Sequence, residues 1–181
     1  MTLSLTNGTG VANSSFDAAT GVFSFTPDLT QAGVYPFTVT ASDGAITSTA
    51  IWTVTVQNFT ESYRATLSGV NEVPFAFTPA VGVVWFELDE GANTLAVTAG
   101  TAANLAGAYV ASHIHTGSVG VGGGVALPLA FTADGSGRGG SFDVKAYDLT
   151  ADLLGGMSAA DFITALKAGG LYANVHTAAY A

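Results

Sequence analysis

The chain contains three histidines, and two of them are separated by a single residue in the tract His113-Ile114-His115. On a β-strand, residues i and i+2 point to the same face and lie about 6–7 Å apart. The third histidine, His176, ends a second strand-like tract, Leu171–Thr177. If the two tracts pair, the three imidazoles can converge on one metal ion or on one buried polar cluster.

Three imidazoles that leave a fourth position open are the ligand set of a catalytic zinc site or of a copper site. The chain has no cysteine, which excludes thiolate ligands. Glu72, in the turn before Pro74, is a weaker candidate for an additional carboxylate ligand. In the alternative interpretation, the imidazoles hydrogen-bond to the backbone of the segment 117–124 and hold it in place. The sequence favours this structural role, because a metal site has to be argued from geometry.

Acidic residues offer a second kind of candidate site, for calcium. Six of them lie in predicted turns, where carboxylates can ligate this ion: Asp17, Asp28, Asp43, Asp89, Glu90 and Asp134. No loop has the DxDxDG pattern of a calcium-binding hand. We therefore expect these carboxylates to stabilise turns instead, and calcium is the less favoured metal.

The composition excludes several classes of function. Charged residues are 9% of the chain and the net charge is −9, against a typical charged fraction of about a quarter. The positive residues are only Arg64, Arg138, Lys145 and Lys167, too few for the basic patch that nucleic-acid binding needs. No apolar run is long enough for a membrane-spanning helix. The first residues lack the features of a signal peptide, so an export signal would lie outside this sequence.

Alternation of apolar and polar residues predicts an all-β protein made of antiparallel strands. In the segment 50–56, Trp52, Val54 and Val56 alternate with Ile51, Thr53 and Thr55, as in a half-buried strand. Further strands are predicted at 21–26, 33–41, 63–69, 81–88, 94–98, 108–116, 124–131, 141–147 and 171–177. Ser158 and Asp161 form a capping box for one predicted helix over 159–168, which Gly169 ends. We interpret this helix as a crossover connection.

The strand pattern restarts near Gln57, which predicts two tandem β-sandwich units at 1–58 and 59–181. The first carries Thr20-Gly21-Val22-Phe23-Ser24-Phe25-Thr26-Pro27 and a later Ala41-Ser42-Asp43-Gly44. It resembles the Ig-type, cadherin-like repeats of bacterial surface proteins. The leading strand that such repeats usually carry is not apparent here, which leaves about four strands.

Residues 62–177 resemble the CHRD (chordin-type) domain of extracellular proteins. The similarity rests on Tyr63–Gly69, on the turn at Glu72 and Pro74, on the tract of His113 and His115 with its glycines, and on Tyr172–Thr177. Members continue beyond the last histidine into a further strand, which is not apparent here. The resemblance implies an extracellular location and fixes no biochemical activity. The lack of cysteine fits a bacterial or archaeal secreted protein.

Two sandwiches that each lack a strand have two explanations: a neighbouring subunit supplies the strand, because an open sheet edge pairs readily with another chain, or the sequence is a piece of a longer multidomain protein. We expect a non-enzymatic structural or adhesive building block, a subunit of a cell-surface fibre or layer assembled by β-strand complementation. The alternative is an extracellular module that binds zinc or copper through the three histidines. A His-x-His tract on a sandwich is similar to copper/zinc superoxide dismutase, but that enzyme's bridging histidine has no counterpart in this chain.

Overall fold

The computed structural model describes residues 1–28, 30–57, 60–72, 74–118 and 120–180, with the side chain of Asn7 left undescribed. The chain divides into two compact units, Met1–Phe59 and Thr60–Ala181. The predicted boundary includes Asn58 and Phe59, which lie outside the described residues. Strands account for 52% of the structure and helices for 7%, so the predicted all-β class with one helix is confirmed.

The first unit contains a three-stranded antiparallel sheet of order β1-β4-β5 and a separate hairpin of β2 and β3. Phe23, Phe25, Tyr35, Phe37 and Trp52 form an aromatic cluster between them, with ring centroids 4.5–5.8 Å apart. The strands are β1 (Thr2–Asn7), β2 (Ser14–Asp17), β3 (Val22–Phe25), β4 (Gly33–Ser42) and β5 (Thr47–Val56).

The expectation that the first unit lacks a leading strand is wrong. Strand β1 pairs antiparallel with β4, from Thr2 opposite Ser42 to Asn7 opposite Thr38. Leu3 and Leu5 are half-buried, and Thr2, Ser4 and Thr6 are exposed. This alternation was present in the sequence, but over so few residues it was not recognised as a strand.

The second unit is built from a larger antiparallel sheet and a three-stranded sheet. The first has the order β11-β12-β8-β7-β6, with β13 also pairing with β8, and the second has the order β10-β9-β14. The strands are β6 (Thr60–Ser68), β7 (Val81–Asp89), β8 (Thr94–Ala103), β9 (Tyr109–Thr116), β10 (Val125–Pro128), β11 (Phe131–Ala133), β12 (Gly140–Phe142), β13 (Lys145–Asp148) and β14 (Leu171–Thr177); helix α1 is Ala159–Lys167, and a 3₁₀ turn occupies Gly69–Asn71.

Two predicted strands of this unit are each divided in the structure. The segment 124–131 forms β10 and then β11, which belong to different sheets. Between them, the Leu129 amide donates to the carbonyl of Ser112 and the Ala130 amide donates to the Tyr147 hydroxyl. The segment 141–147 forms β12 and β13, which pair with opposite ends of β8. Side-chain alternation cannot reveal such a change of partner, because the pattern continues through it.

The core of the second unit lies between its two sheets and helix α1. Ser158 accepts a hydrogen bond from the Asp161 amide at 3.1 Å, as the predicted capping box requires. The helix connects β13 to β14 and buries Phe162 and Ile163. The larger sheet contributes alternate residues of its strands to one buried cluster, Val84, Phe86, Leu88, Leu95 and Val97, and the smaller sheet contributes Ile114, Ala126 and Leu127. Ala126 and Leu127 are consecutive, because the register of β10 shifts between Val125 and Leu127.

Candidate metal centre

The three histidines lie on one face of the β9–β14 pair. On β9, Ile114 is buried in the core, so period-two alternation turns His113 and His115 to the opposite face. On β14, Tyr172 lies opposite His115, Asn174 opposite His113, and His176 opposite Ala111. Because directly opposed residues of an antiparallel pair point to the same side, Tyr172, Asn174 and His176 share this face.

The imidazoles converge, as the sequence predicted. One ring nitrogen of each histidine lies within 4.8 Å of the nitrogens of the other two. The shortest approach joins the Nε2 atoms of His115 and His176, 3.3 Å apart. The ring of His113 has its centroid 5.6 Å from that of His115 and 5.2 Å from that of His176.

A backbone carbonyl sets the protonation of His115. Its Nδ1 lies 3.1 Å from the carbonyl oxygen of Gly123, and a carbonyl can only accept a hydrogen bond. Nδ1 therefore carries a proton, which leaves Nε2, the ring nitrogen closest to His176, as the atom available to a metal ion. A metal-binding histidine commonly donates its other ring proton to a carbonyl in this way.

The carbonyl of Gly123 is held in place by its own neighbours. The Gly123 amide donates to the Tyr172 hydroxyl at 3.3 Å, and the Thr116 amide donates to the Gly124 carbonyl at 2.9 Å. The Tyr172 ring stacks on the His115 ring, with centroids 5.2 Å apart. A Cβ atom at position 123 would lie 1.6 Å from the Thr116 carbonyl oxygen, so only glycine allows this close approach.

The other two histidines favour the neutral state. Burial, followed by the electrostatic interaction with His115, lowers the pKa of His113 below its usual 6.5. Burial and the two other histidines likewise lower the pKa of His176. Within the described part of the chain, the buried Nδ1 of His113 has no hydrogen-bond partner. A neutral imidazole with a free lone pair is the form that binds a metal ion.

Glu72, the predicted carboxylate candidate, lies close to the histidines but outside their cluster. Its carboxyl accepts a hydrogen bond from the Asn174 side chain, and burial raises its pKa above the usual 4.5. It is not among the three residues whose ligand atoms approach one another. Glu72 therefore lies beside the histidine cluster and is not one of the three converging groups.

A cavity of about 630 Å³ opens beside the cluster. His115, His176, Glu72 and Asn174 line it, together with apolar residues that include Leu105. His113 does not belong to the described lining. A metal ion held by the three histidines would therefore be accessible from the cavity, on the side that His115 and His176 line.

Gly123, Tyr172 and Asn174 were not singled out in the sequence. Tyr172 and Asn174 precede His176 by four and two positions on β14, so the same alternation could have placed them on the histidine face. No comparable signal identifies Gly123, because its role depends on the path of a loop.

Hydrogen bonding to the loop, the alternative to a metal site, accounts for His115 alone. His115 does contact the Gly123 carbonyl. In the described structure, however, the side-chain hydrogen-bond contact of His176 is with His115, and the Nδ1 of His113 has none. In a tetrahedral zinc site with Zn–N distances of about 2.0–2.1 Å, neighbouring nitrogens lie about 3.3–3.4 Å apart. The spacing of His115 and His176 matches this value.

The acidic turn residues do stabilise turns. The Asp17, Asp28 and Asp134 carboxylates accept hydrogen bonds from the amides of Ala19, Thr30 and Ser136, at 2.8–2.9 Å. Asp43 accepts from the amides of Ala45 and Ile46, and Asp89 from that of Ala92. Hydrogen bonds lower the pKa of Asp17, Asp28, Asp43 and Asp134. Glu90 forms an ion pair with Lys167.

Comparison with known families matches both parts of the chain. Residues 63–181 match the CHRD domain, and residues 3–57 match the family described as Putative Ig domain. No curated protein and no solved structure matches the chain. Among the described residues, no helix is long and apolar enough to span a membrane. Both families are typical of extracellular proteins. Because the match extends over more than half of its length, the chain belongs to the CHRD domain family.

Proposed function

We propose that this extracellular module binds one transition-metal ion, zinc or copper(II), through His113, His115 and His176. The observation that carries the proposal is the 3.3 Å separation of the His115 and His176 Nε2 atoms. Two neutral imidazoles at this distance have one proton between their facing nitrogens at most, whereas a shared metal ion uses both lone pairs. The buried Nδ1 atom of half-buried His113, which has no partner among the described groups, supports the same assignment.

The donor set selects the metal. Imidazole nitrogen suits zinc and copper(II), whereas calcium and magnesium prefer oxygen ligands. The only carboxyl group in the described cavity lining belongs to Glu72, and one carboxylate is too few for a calcium site. We expect metal binding without catalytic turnover, so a superoxide-consumption assay on the copper-loaded protein should give the rate of free buffer.

Equilibrium dialysis against Zn²⁺ and Cu²⁺, followed by elemental analysis, tests the proposal. We expect one ion per chain and loss of that ion in His115→Ala, because one of three ligands is removed. Val110→Ala is the matched control, since Val110 lies on the same strand and is 58% exposed. If wild type and His115→Ala retain equal amounts of metal, the histidines are not the ligands.

A second candidate function is self-assembly at the cell surface through strand addition, and strand β5 favours it. All ten residues of β5, Thr47–Val56, pair with β4 on one side. On its other side, β5 pairs with no strand within the described part of the first unit. Its sequence, TSTAIWTVTV, contains no charged residue and no proline, the devices with which natural edge strands usually prevent pairing. A second copy of β5 is the proposed partner, in an isologous contact.

Light scattering over a range of concentrations tests this assembly. We expect the wild type to form dimers or larger species and Ile51→Lys to remain monomeric, because a charge on an edge strand opposes pairing. Ile51 is 73% exposed, so its replacement leaves the core intact. Ile46→Lys is the control, since Ile46 is 72% exposed but precedes the strand. A monodisperse monomer at all concentrations contradicts the assembly proposal.

A further inference from the structure

We infer that the cavity beside the histidines binds a small organic monoanion, a carboxylate with an apolar body, whose oxygen completes the coordination of the bound metal. This inference rests on the proposed metal site and extends it to a ligand class. His115 and His176 line the cavity, and His113 is not part of its described lining. An ion held by the three histidines would therefore be reached by a cavity ligand from the side of His115 and His176.

The size of the cavity indicates a ligand larger than water. Its volume is about 630 Å³, within the range of about 300–1,000 Å³ typical of small-molecule sites. A water molecule takes up about 30 Å³, so one metal-bound water would leave most of this space unused by the site.

The apolar residues that line the cavity favour a ligand with an apolar body. Leu67, Val81 and Leu105 line it together with several alanines. These side chains offer no hydrogen bonds, so a ligand gains affinity here by removing apolar surface from water. Two of the polar lining groups, Asn174 and Glu72, interact with each other beside His115, near the expected position of the ligand's head group.

The charges near the site favour a ligand that carries a single negative charge. A divalent ion held by three neutral imidazoles, with the Glu72 carboxylate nearby, has one positive charge left to balance. The described lining contains no lysine or arginine. A dianion such as phosphate would therefore bring an unpaired charge into a partly enclosed site, at high cost. A monocarboxylate balances the charge.

Spectroscopic titration of the cobalt(II)-loaded protein tests the inference, because the visible absorption of cobalt(II) changes with its ligands. Cobalt binding is first established by dialysis, so that failure of the metal site is recognised separately. We then expect benzoate to change the spectrum saturably and to bind at least about tenfold more tightly than acetate, since its ring buries apolar surface. Phosphate should bind more weakly than benzoate.

Ala106→Phe is the variant that fills the cavity without changing a metal ligand, because Ala106 lines the cavity and is not adjacent in sequence to any of the three histidines. It should weaken benzoate binding at least tenfold and leave cobalt affinity unchanged; Ala80→Leu is a second cavity-filling variant should the first fail to fold. The inference is overturned if cobalt binds but benzoate leaves the spectrum unchanged. Equal affinities for benzoate and acetate, unaffected by both variants, would also overturn it.

Discussion

The Nε2 atoms of His115 and His176 lie 3.3 Å apart, although 61 positions separate the two residues in sequence. His115 is opposite Tyr172 and His176 is opposite Ala111, and the pair of His113 and Asn174 lies between them. The rings of His115 and His176 therefore approach each other beside His113. The carbonyl of Gly123 fixes the proton of His115 on Nδ1. The pair therefore presents at least one lone pair to a shared position, beside a third imidazole with no partner for its buried Nδ1 among the described groups.

Replacement of His113 by leucine separates a metal ligand from a structural residue. We expect His113→Leu to lose metal binding while the metal-free protein is as stable as wild type, within about 1 kcal/mol, or more stable. The physical reason is that the variant removes a buried polar atom without a partner and nearly conserves volume. Chemical denaturation with and without EDTA measures both effects. A loss of about 2–3 kcal/mol in the metal-free protein would instead indicate a structural role.

Replacement of Gly123 by alanine tests the carbonyl that orients His115. The new Cβ would overlap the Thr116 carbonyl oxygen, so the loop must move and its hydrogen bond to His115 is lost. We expect zinc affinity to fall about 10–100-fold, as for other residues that orient metal ligands. Competition with a chromophoric chelator measures the affinity. Gly124→Ala is the control, because a Cβ at position 124 meets nothing within 4 Å; equal losses in both variants would contradict the assignment.

The metal-free protein should lose stability as the pH falls below about 6.5. Burial lowers the pKa values of His113 and His176 in the folded state. The unfolded chain therefore takes up protons first, near the usual pKa, and the free energy of unfolding decreases with pH. Urea denaturation between pH 7.5 and pH 5 measures this dependence, above the range in which the aspartates titrate. His113→Leu should show a shallower dependence, and an identical slope in the variant would count against this origin.

Zinc should stabilise the wild-type fold against denaturation. A ligand that binds the folded state at a free concentration of 100 times its Kd adds about 2.7 kcal/mol to the free energy of unfolding. We expect a rise of this order in the wild type and its reversal by EDTA. Thermal unfolding followed by circular dichroism measures it. His176→Ala serves as the variant without a complete site, and an equal shift in that protein would show that zinc acts elsewhere.

The centre of the site could be predicted from sequence because it depends on strand periodicity. His113 and His115 are two positions apart, and this spacing on a strand fixes a common face. His176 reaches the same face because of the register in which β9 pairs with β14. Strand periodicity alone does not give this register, but the resemblance of both tracts to one family favoured a common site. Glu72, predicted as a weaker additional ligand, lines the same cavity as His115 and His176 but is not part of the histidine cluster.

The parts that escaped prediction depend on the path of the chain between strands. The sequence predicted imidazole contacts with the backbone of the segment 117–124, but it could not identify Gly123 as the partner of His115, because that contact depends on how the loop before β10 folds back on Thr116. The change of sheet between β10 and β11 is hidden for the same reason, since alternation continues through it. In the first unit, β1 was missed although Leu3 and Leu5 alternate with polar neighbours, because six residues give a weak periodic signal.

X-ray absorption at the zinc edge, on protein loaded with one equivalent of zinc, tests the central claim most directly. The account predicts three imidazole nitrogens at about 2.0–2.1 Å together with one oxygen ligand from solvent, and loss of the imidazole signal in His115→Ala. A zinc environment made of oxygen ligands alone, or an identical spectrum from wild type and His115→Ala, would contradict it.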